Sequence, residues 1–256
     1  MVSKKISRRK LFRLTAGATL GWCVLEPWVL EPYWLRIKKL NIGGAKASHR
    51  IVHITDIHYK GNRRFLKKVV ETVNALSPDI VCFSGDLVEK ATYVNEALDI
   101  LSPIKQPVYG VPGNHDYSSG ASFSTIAEYC LSTKGAWLVD RDILTQDGRI
   151  QIIGATGSQS QLPPLKEKVK RLLLVHYPLF VEQVKGSFDL VLAGHSHGGQ
   201  VRLPFWGALT LPYGVGSYDL GLFQTQVGPL YVNPGIGTFY FPVRAWCRPE
   251  ISVIEL

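Results

Sequence analysis

The chain has 256 residues, of which 46% are hydrophobic and 19% charged. That balance excludes a disordered or fibrous protein and suits one compact domain with one large core. The net charge of +9 suggests nucleic acid, but Lys4, Lys5, Arg8, Arg9, Lys10 and Arg13 supply +6 of it before any acidic residue, leaving only +3 for the rest; this argues against a nucleic-acid groove and for a targeting or membrane-surface role at the N-terminus.

Residues 1–13 contain an Arg8-Arg9 pair followed by the uncharged, mostly apolar run Leu14 to Leu25. This is the layout of a signal read by the twin-arginine exporter. The run is too short for a bilayer, which needs ~20 residues, and no clear cleavage site follows, so an uncleaved anchor is one expectation. The Trp- and Leu-rich stretch from Glu26 to Trp34 would lie at a membrane interface or pack on the domain. We therefore divide the chain into a signal-like anchor segment, 1–34, and a domain, 35–256, that associates with a bacterial membrane.

Leu35 to Asn41 and Arg50 to Thr55 read as strands joined by a turn at Gly43-Gly44. Phe65, Val69, Val73 and Leu76 recur at helical spacing behind Asn62, which predicts an N-capped amphipathic helix over 62–76. A strand to Ser84 follows, then helices over 92–101 and 123–132, each returning to a strand. This alternation implies a parallel sheet. Asp147-Gly148 between 142–146 and 149–154 predicts a hairpin, and 159–170 reads as a linker. Two further strand-loop units end in His176 and in His195/His197, and a short strand over 251–255 closes the chain. The class is α/β, with two mixed sheets face to face and helices outside: a four-layer αββα sandwich. The aromatics between Phe205 and Trp246 read mainly as sheet core, with an acyl-chain pocket as the alternative. The four cysteines form no Cys-x-x-Cys pair and read as ordinary thiols, Cys82 in a buried strand.

Apolar strands end in Asp56-x-His58, Gly85-Asp86, Gly113-Asn114-His115-Asp116, His176 and Gly194-His195-Ser196-His197. Carboxylate oxygen with neutral imidazole nitrogen suits Mn²⁺, Fe²⁺ or Zn²⁺, and the absence of thiolates points away from a closed structural zinc site. On regular strands Asp56 and His58 would leave on one face, as would His195 and His197, while Gly85, Gly113 and Gly194 would let the backbone turn tightly. A carboxylate such as Asp86 can bridge two ions ~3.5–4 Å apart, the spacing that clamps a phosphoryl group.

These blocks, in this order, resemble the five motif blocks of the calcineurin-like metallophosphoesterases, and within them the YaeI-type bacterial phosphodiesterases with a twin-arginine start. The resemblance implies two divalent ions, one on Asp56, His58, Asp86 and His197, the other on Asp86, Asn114, His176 and His195. It also implies a metal-bridging hydroxide as nucleophile, and His115 facing the substrate as proton donor. Asp116 is placed to orient His115. Arg202 is a candidate phosphate clamp, although an exposed strand arginine would look the same. The expected reaction is cleavage of a phosphodiester or pyrophosphate bond by a monomer, on a substrate that is lipid-linked, as UDP-2,3-diacylglucosamine of lipid A synthesis is. The alternatives are a phosphomonoesterase, against which Glu89 and Asp116 count as departures, and a metal-free scaffold on the same fold.

Overall fold

The computed structural model describes residues 7–157 and 162–256. Lys4, Lys5 and the start of the linker expected over 159–170 lie outside them. The first helix, α1 (Arg8–Val29), begins where Ser7 accepts a hydrogen bond from the Lys10 amide and takes in the whole apolar run and Trp28. Among the described residues no helix is long and apolar enough to cross a membrane.

The first sheet takes its strands in the order β1 (Arg36–Asn41), β14 (Glu250–Glu255), β2 (Arg50–Ile54), β3 (Ile80–Phe83), β4 (Val108–Gly110) and β5 (Ala136–Trp137). The pair expected at 35–55 is thus not adjacent. The Gly43-Gly44 turn is present, but β14 lies between β1 and β2, parallel to one and antiparallel to the other. β2, β3, β4 and β5 run parallel. Their crossovers form α2 (Arg63–Ala75), α3 (Val94–Leu101), the short α4 (Asn114–Ser118) and α5 (Phe123–Ser132). α2 starts where the sequence places it, with the Asn62 side chain accepting from the Phe65 amide at 3.1 Å, and it buries Leu66, Val69, Val70 and Val73. α4 is a departure, since the Asn114 block opens a helical turn rather than ending a strand.

The second sheet runs β12 (Gly221–Thr225), β13 (Gly228–Val232), β9 (Leu190–Ala193), β8 (Lys170–Val175), β7 (Ile150–Ala155) and β6 (Arg141–Leu144). β6 and β7 form the expected hairpin, with Arg141 opposite Gly154 and Leu144 opposite Gln151. β10 (Arg202–Leu203) and β11 (Gly207–Ala208) pair separately as a small hairpin.

Alternation along the strands separates three cores. Ile51, Cys82, Tyr109, Ile152, Leu172, Leu192 and Ile254 fill the space between the sheets. Val52, Ile54, Val81 and Phe83 point the other way, against α2, α3 and α5. The outer face of the second sheet, with Leu173, Val191 and Leu230, is covered by Phe180 and Val181 of a 3₁₀ turn (Pro178–Glu182) and by Phe188. The architecture is the mixed α/β sandwich expected, two mixed sheets with flanking helices, although among the described residues the cover on that outer face is a 3₁₀ turn and loop rather than an α-helix. Each fully buried Leu, Ile or Val contributes about 1.5–3 kcal/mol, so the sheets form a rigid platform whose loops can hold strained conformations.

The aromatics between Phe205 and Trp246 depart from expectation. Tyr231 is buried between the sheets, but Phe205, Trp206, Tyr213, Tyr240, Phe241 and Trp246 are exposed. Phe205 and Trp206 form the tip of the β10–β11 hairpin and the others sit on loops after β9 and β13, clear of the faces of both large sheets.

Candidate metal centre

The loops that follow β2, β3, β4, β8 and β9 converge between the two sheets. Asp56 and His58 do not leave a regular strand, because β2 ends at Ile54 and both residues have left-handed φ, +48° and +42°. Asp86, His195 and His197 share that conformation, at +61°, +66° and +50°. Such backbone costs of the order of 1–3 kcal/mol per residue and clusters at functional sites. Here cross-loop bonds hold it: the Asp56 amide donates to the Gly85 carbonyl at 2.9 Å, and the His58 amide to the Asp86 carbonyl at 3.0 Å. Of the three glycines, Gly85 turns as expected, with φ +100°. Gly113 is extended and is required for space instead, since a Cβ there would lie 2.1 Å from Asp86 Oδ1.

Three of the four ring-to-pocket histidines park one N–H on an acceptor outside the pocket. His58 Nδ1 donates to Glu89 Oε1 at 2.6 Å, His176 Nδ1 to the Ser84 carbonyl at 2.7 Å, and His195 Nε2 to the Tyr213 carbonyl at 2.7 Å. Their other nitrogens then face inward, toward further acceptors. His58 Nε2 lies 3.0 Å from His197 Nε2, 3.5 Å from Asp86 Oδ2 and 3.8 Å from Asp56 Oδ1. His197 Nε2 is 3.4 Å from Asp56 Oδ1. On the other side, His176 Nε2 lies 2.9 Å from Asn114 Oδ1, 3.1 Å from His195 Nδ1 and 3.3 Å from Asp86 Oδ2.

Lone pairs crowded in this way are reconciled by a cation. Separations of roughly 3 Å are the edges of a coordination shell with bonds of about 2.1 Å. Among the described residues, Asp56, His58 and His197 form one group that could hold an ion, and Asp86, His176 and His195 another. Asp86 Oδ2 reaches both, and Asn114 joins the second. The seven side chains proposed as ligands therefore lie together, and all but the partly buried Asn114 are buried.

Electrostatics describe the same competition. Burial pushes the Asp86 carboxyl up, but His176 and His58 outweigh it and hold the group down to about 2. Burial likewise raises Asp56, and His197, His58 and His176 bring it below the usual carboxylate range. His58 and His176 are lowered by burial but raised more by the facing carboxylates, to about 9 in each case. His195 falls to about 4 through burial and the His176 charge, and His197 falls well below its ordinary value through burial. Without a cation, protons on His58 and His176 take its place.

His115 and Asp116 part company. The Asp116 carboxylate does not turn to His115. It accepts the amides of Asp86, Leu87 and Gly113, each at 2.8 Å, and so fixes the loop that carries Asp86. Burial and the Asp86 charge push it up to about 6 against those three donors. The carboxylate near His115 is Glu89, with Oε2 3.4 Å from Nδ1. Glu89, His58 and His115 form a third close group. Sequence reasoning met Glu89 only as a departure from another pattern; the signal available was its place three residues after Asp86, which returns it to the same loop mouth. The Phe239 ring packs against His58, His115 and His197. Arg202 stands apart from the ligands, with Nη1 donating to the Gly198 carbonyl at 2.8 Å and to Asp219 at 2.9 Å.

The calcineurin-like phosphoesterase family matches residues 49–199, a span that contains all seven proposed ligands together with Glu89, His115 and Asp116. The chain is 31% identical to the uncharacterized metallophosphoesterase YkuE of Bacillus subtilis (strain 168), over 99% of this chain and 98% of that one. It is 29% identical to phosphodiesterase YaeI of Escherichia coli (strain K12), over 98% and 99% respectively. A family match that covers the whole ligand set, on two mixed sheets whose loop ends gather that set into paired clusters, leaves one assignment: the chain belongs to the calcineurin-like phosphoesterases, hydrolases that depend on divalent metal.

Proposed function

We propose that this protein cleaves a phosphodiester or pyrophosphate bond at a pair of divalent ions, on a lipid-linked substrate met at a membrane surface. The observation that carries the reading is the pair of donor clusters sharing Asp86 Oδ2. Asp56, His58, Asp86 and His197 would hold one ion, and Asp86, Asn114, His176 and His195 the other. The nitrogen and oxygen donors suit Mn²⁺, Fe²⁺ or Zn²⁺. When bound, such ions polarise the phosphoryl oxygens and make water acidic enough to attack phosphorus near neutral pH.

The remaining work falls to the chain's own groups. Glu89 takes the Nδ1 side of His115, which leaves Nε2 for the substrate. As the bond from phosphorus to the leaving oxygen breaks, a proton from Nε2 neutralises that oxygen, a role worth about 10²–10⁴ in rate. Asp116 keeps the Asp86 loop fixed through three amides, and Phe239 shields the imidazoles from water on one side.

Two features favour a diester or anhydride with a large apolar group. One relative carries the name phosphodiesterase. Beside His176 opens a hollow of about 250 Å³ lined in part by Val175, Tyr177, Leu179, Phe180 and Tyr213, room for part of an acyl chain next to the second cluster. A diacylated nucleotide sugar such as UDP-2,3-diacylglucosamine is a concrete candidate, and the basic, Trp-bearing N-terminal segment would keep the enzyme at the membrane that holds it. The test is a rate comparison on Mn²⁺-loaded protein with a bis-nitrophenyl phosphate, its monoester and the diacylated nucleotide sugar. Faster turnover of the diester and the nucleotide sugar is expected. Preference for the monoester would replace this reading with a phosphatase, and failure to take up metal would replace it with a scaffold.

A further inference from the structure

The loops after β9 and β13 build a lobe at the mouth of the metal centre. Its outward side chains are aromatic and project further than a folded protein ordinarily tolerates. Phe205, at the tip of the β10–β11 hairpin, is 110% exposed; Tyr213 is 93%, Trp206 84% and Tyr240 80% exposed. Phe241 and Trp246 are also exposed.

Backbone bonds tie these tips into one unit. Gln200 exchanges side-chain bonds with the Phe239 backbone and accepts the Ala245 amide, and the Ala245 carbonyl accepts the Arg202 amide. The Arg244 amide donates to the Pro27 carbonyl at 2.9 Å, so the last turn of α1, with exposed Trp28, joins the same lobe. The lobe borders the metal centre, because the Tyr213 carbonyl accepts from His195 Nε2 and the Phe239 ring packs against three of the site histidines.

Its charge is one-sided. From Leu190 to Pro249 the sole acidic residue is Asp219, and that one is bonded to Arg202. No acidic residue precedes Glu26 either, and Arg8, Arg9, Lys10 and Arg13 of α1 are exposed.

We infer that this lobe is a membrane-docking surface that seats the mouth of the metal centre against an anionic bilayer. Rings carried on separate protruding loop tips, Phe205 and Trp206 on one and Tyr240 and Phe241 on another, lack the flat, complementary face that a protein partner needs. A fluid layer supplies contacts to any protruding shape, and Trp and Tyr settle at headgroup depth. Acidic side chains are sparse here, Asp219 being bonded to Arg202 and Glu26 lying in the last turn of α1, so little repels anionic headgroups, and the cations at the start of α1 add positive charge to the same chain segment. The inference rests on the phosphoesterase reading for the site that docking serves.

The test is co-sedimentation of the full chain with vesicles of phosphatidylcholine containing phosphatidylglycerol, comparing wild type with Phe205→Ser/Trp206→Ser. Vesicle affinity should fall about tenfold or more in the variant, while hydrolysis of the soluble nitrophenyl diester stays at the wild-type rate. Wild-type binding by the variant would overturn the proposal. So would a wild-type dimer that the variant dissolves, since the face would then be covered by a second copy. Binding is read without turnover: an inactive protein that still shows the tenfold difference would sink the hydrolase reading and leave the docking surface standing.

Discussion

Asp86 has no spare oxygen. Oδ1 accepts the His115 amide at 2.7 Å, while Oδ2 faces His58 at 3.5 Å and His176 at 3.3 Å. Removing the carboxylate therefore opens both clusters at once and takes away the anion that faces two buried imidazoles, His58 and His176. Asp86→Ala should bind less than one ion per chain where the wild type binds about two, with activity at background, read by elemental analysis and turnover of the same preparation. His115 belongs to neither pair of ligand groups. His115→Ala should retain its metal and lose about 10²–10⁴ in kcat; if the substitution stripped the ions, its placement outside the ligand set would be wrong. Glu89 connects the two cases, because Oε1 accepts from the ligand His58 and Oε2 faces His115. Both imidazoles hold its carboxyl below the ordinary range against burial. Glu89→Gln keeps an acceptor for His58 but removes the charge facing His115, so kcat should fall about tenfold or more with metal content near wild type.

The 3₁₀ turn Glu31–Tyr33 after α1 shows how an element far away in sequence holds the site. The buried Glu31 carboxylate accepts the Trp246 amide at 2.9 Å and the Cys247 amide at 2.5 Å. Cys247 Sγ in turn donates to the His197 carbonyl at 3.2 Å. The fully buried Arg244 guanidinium ties the same segment to the carbonyls of Pro234, Gly235 and Gly237, which run behind Asp56 and His58. Glu31→Ala leaves two amides without their acceptor, a loss of about 1–3 kcal/mol. Chemical denaturation should show that loss, and titration with Mn²⁺ should show weaker uptake at the His197 side; unchanged uptake would confine Glu31 to stability alone. Contacts of this kind were not legible in the sequence, because nothing local links Glu31 to Cys247. What was legible was local: the Asn62 cap, the Asp147-Gly148 hairpin and the apolar strands ending in ligand residues. The helical spacing of Phe65, Val69 and Val73 led to a real helix because a sheet face was there to receive it. The aromatics of 205–246 misled because β-propensity cannot tell a strand from a loop tip. Asp56-x-His58 does place both side chains in one cluster, but through left-handed backbone, not strand alternation.

At the scale of the molecule, each proposed ion would join the two sheets. Asp56, His58, Asp86 and Asn114 come from the loops of the first sheet, and His176, His195 and His197 from those of the second. Metal should therefore stabilise the whole sandwich, by about 2.7 kcal/mol at a free concentration of 100 Kd, and the gain should depend on pH in a direction the site fixes. In metal-free protein, burial lowers His58 and His176 but their facing carboxylates raise them further, to about 9. A histidine raised above its ordinary value of 6.5 adds stability that is fully present below 6.5 and is lost as pH climbs through 9. His195, lowered to about 4, and His197, lowered well below its ordinary value, contribute the opposite slope only below 6.5, outside that window. Metal-free protein should thus weaken between pH 6.5 and 9. Over the same interval the protons that compete for His58 Nε2 and His176 Nε2 leave, and metal binding tightens. The difference in Tm between Mn²⁺-loaded and chelator-treated protein should widen steadily from pH 6.5 to 9, measured by calorimetry at constant ionic strength. A difference that stayed flat would mean that these two imidazoles are not the groups a cation displaces protons from, and that the sheets are joined by something other than the proposed pair of ions.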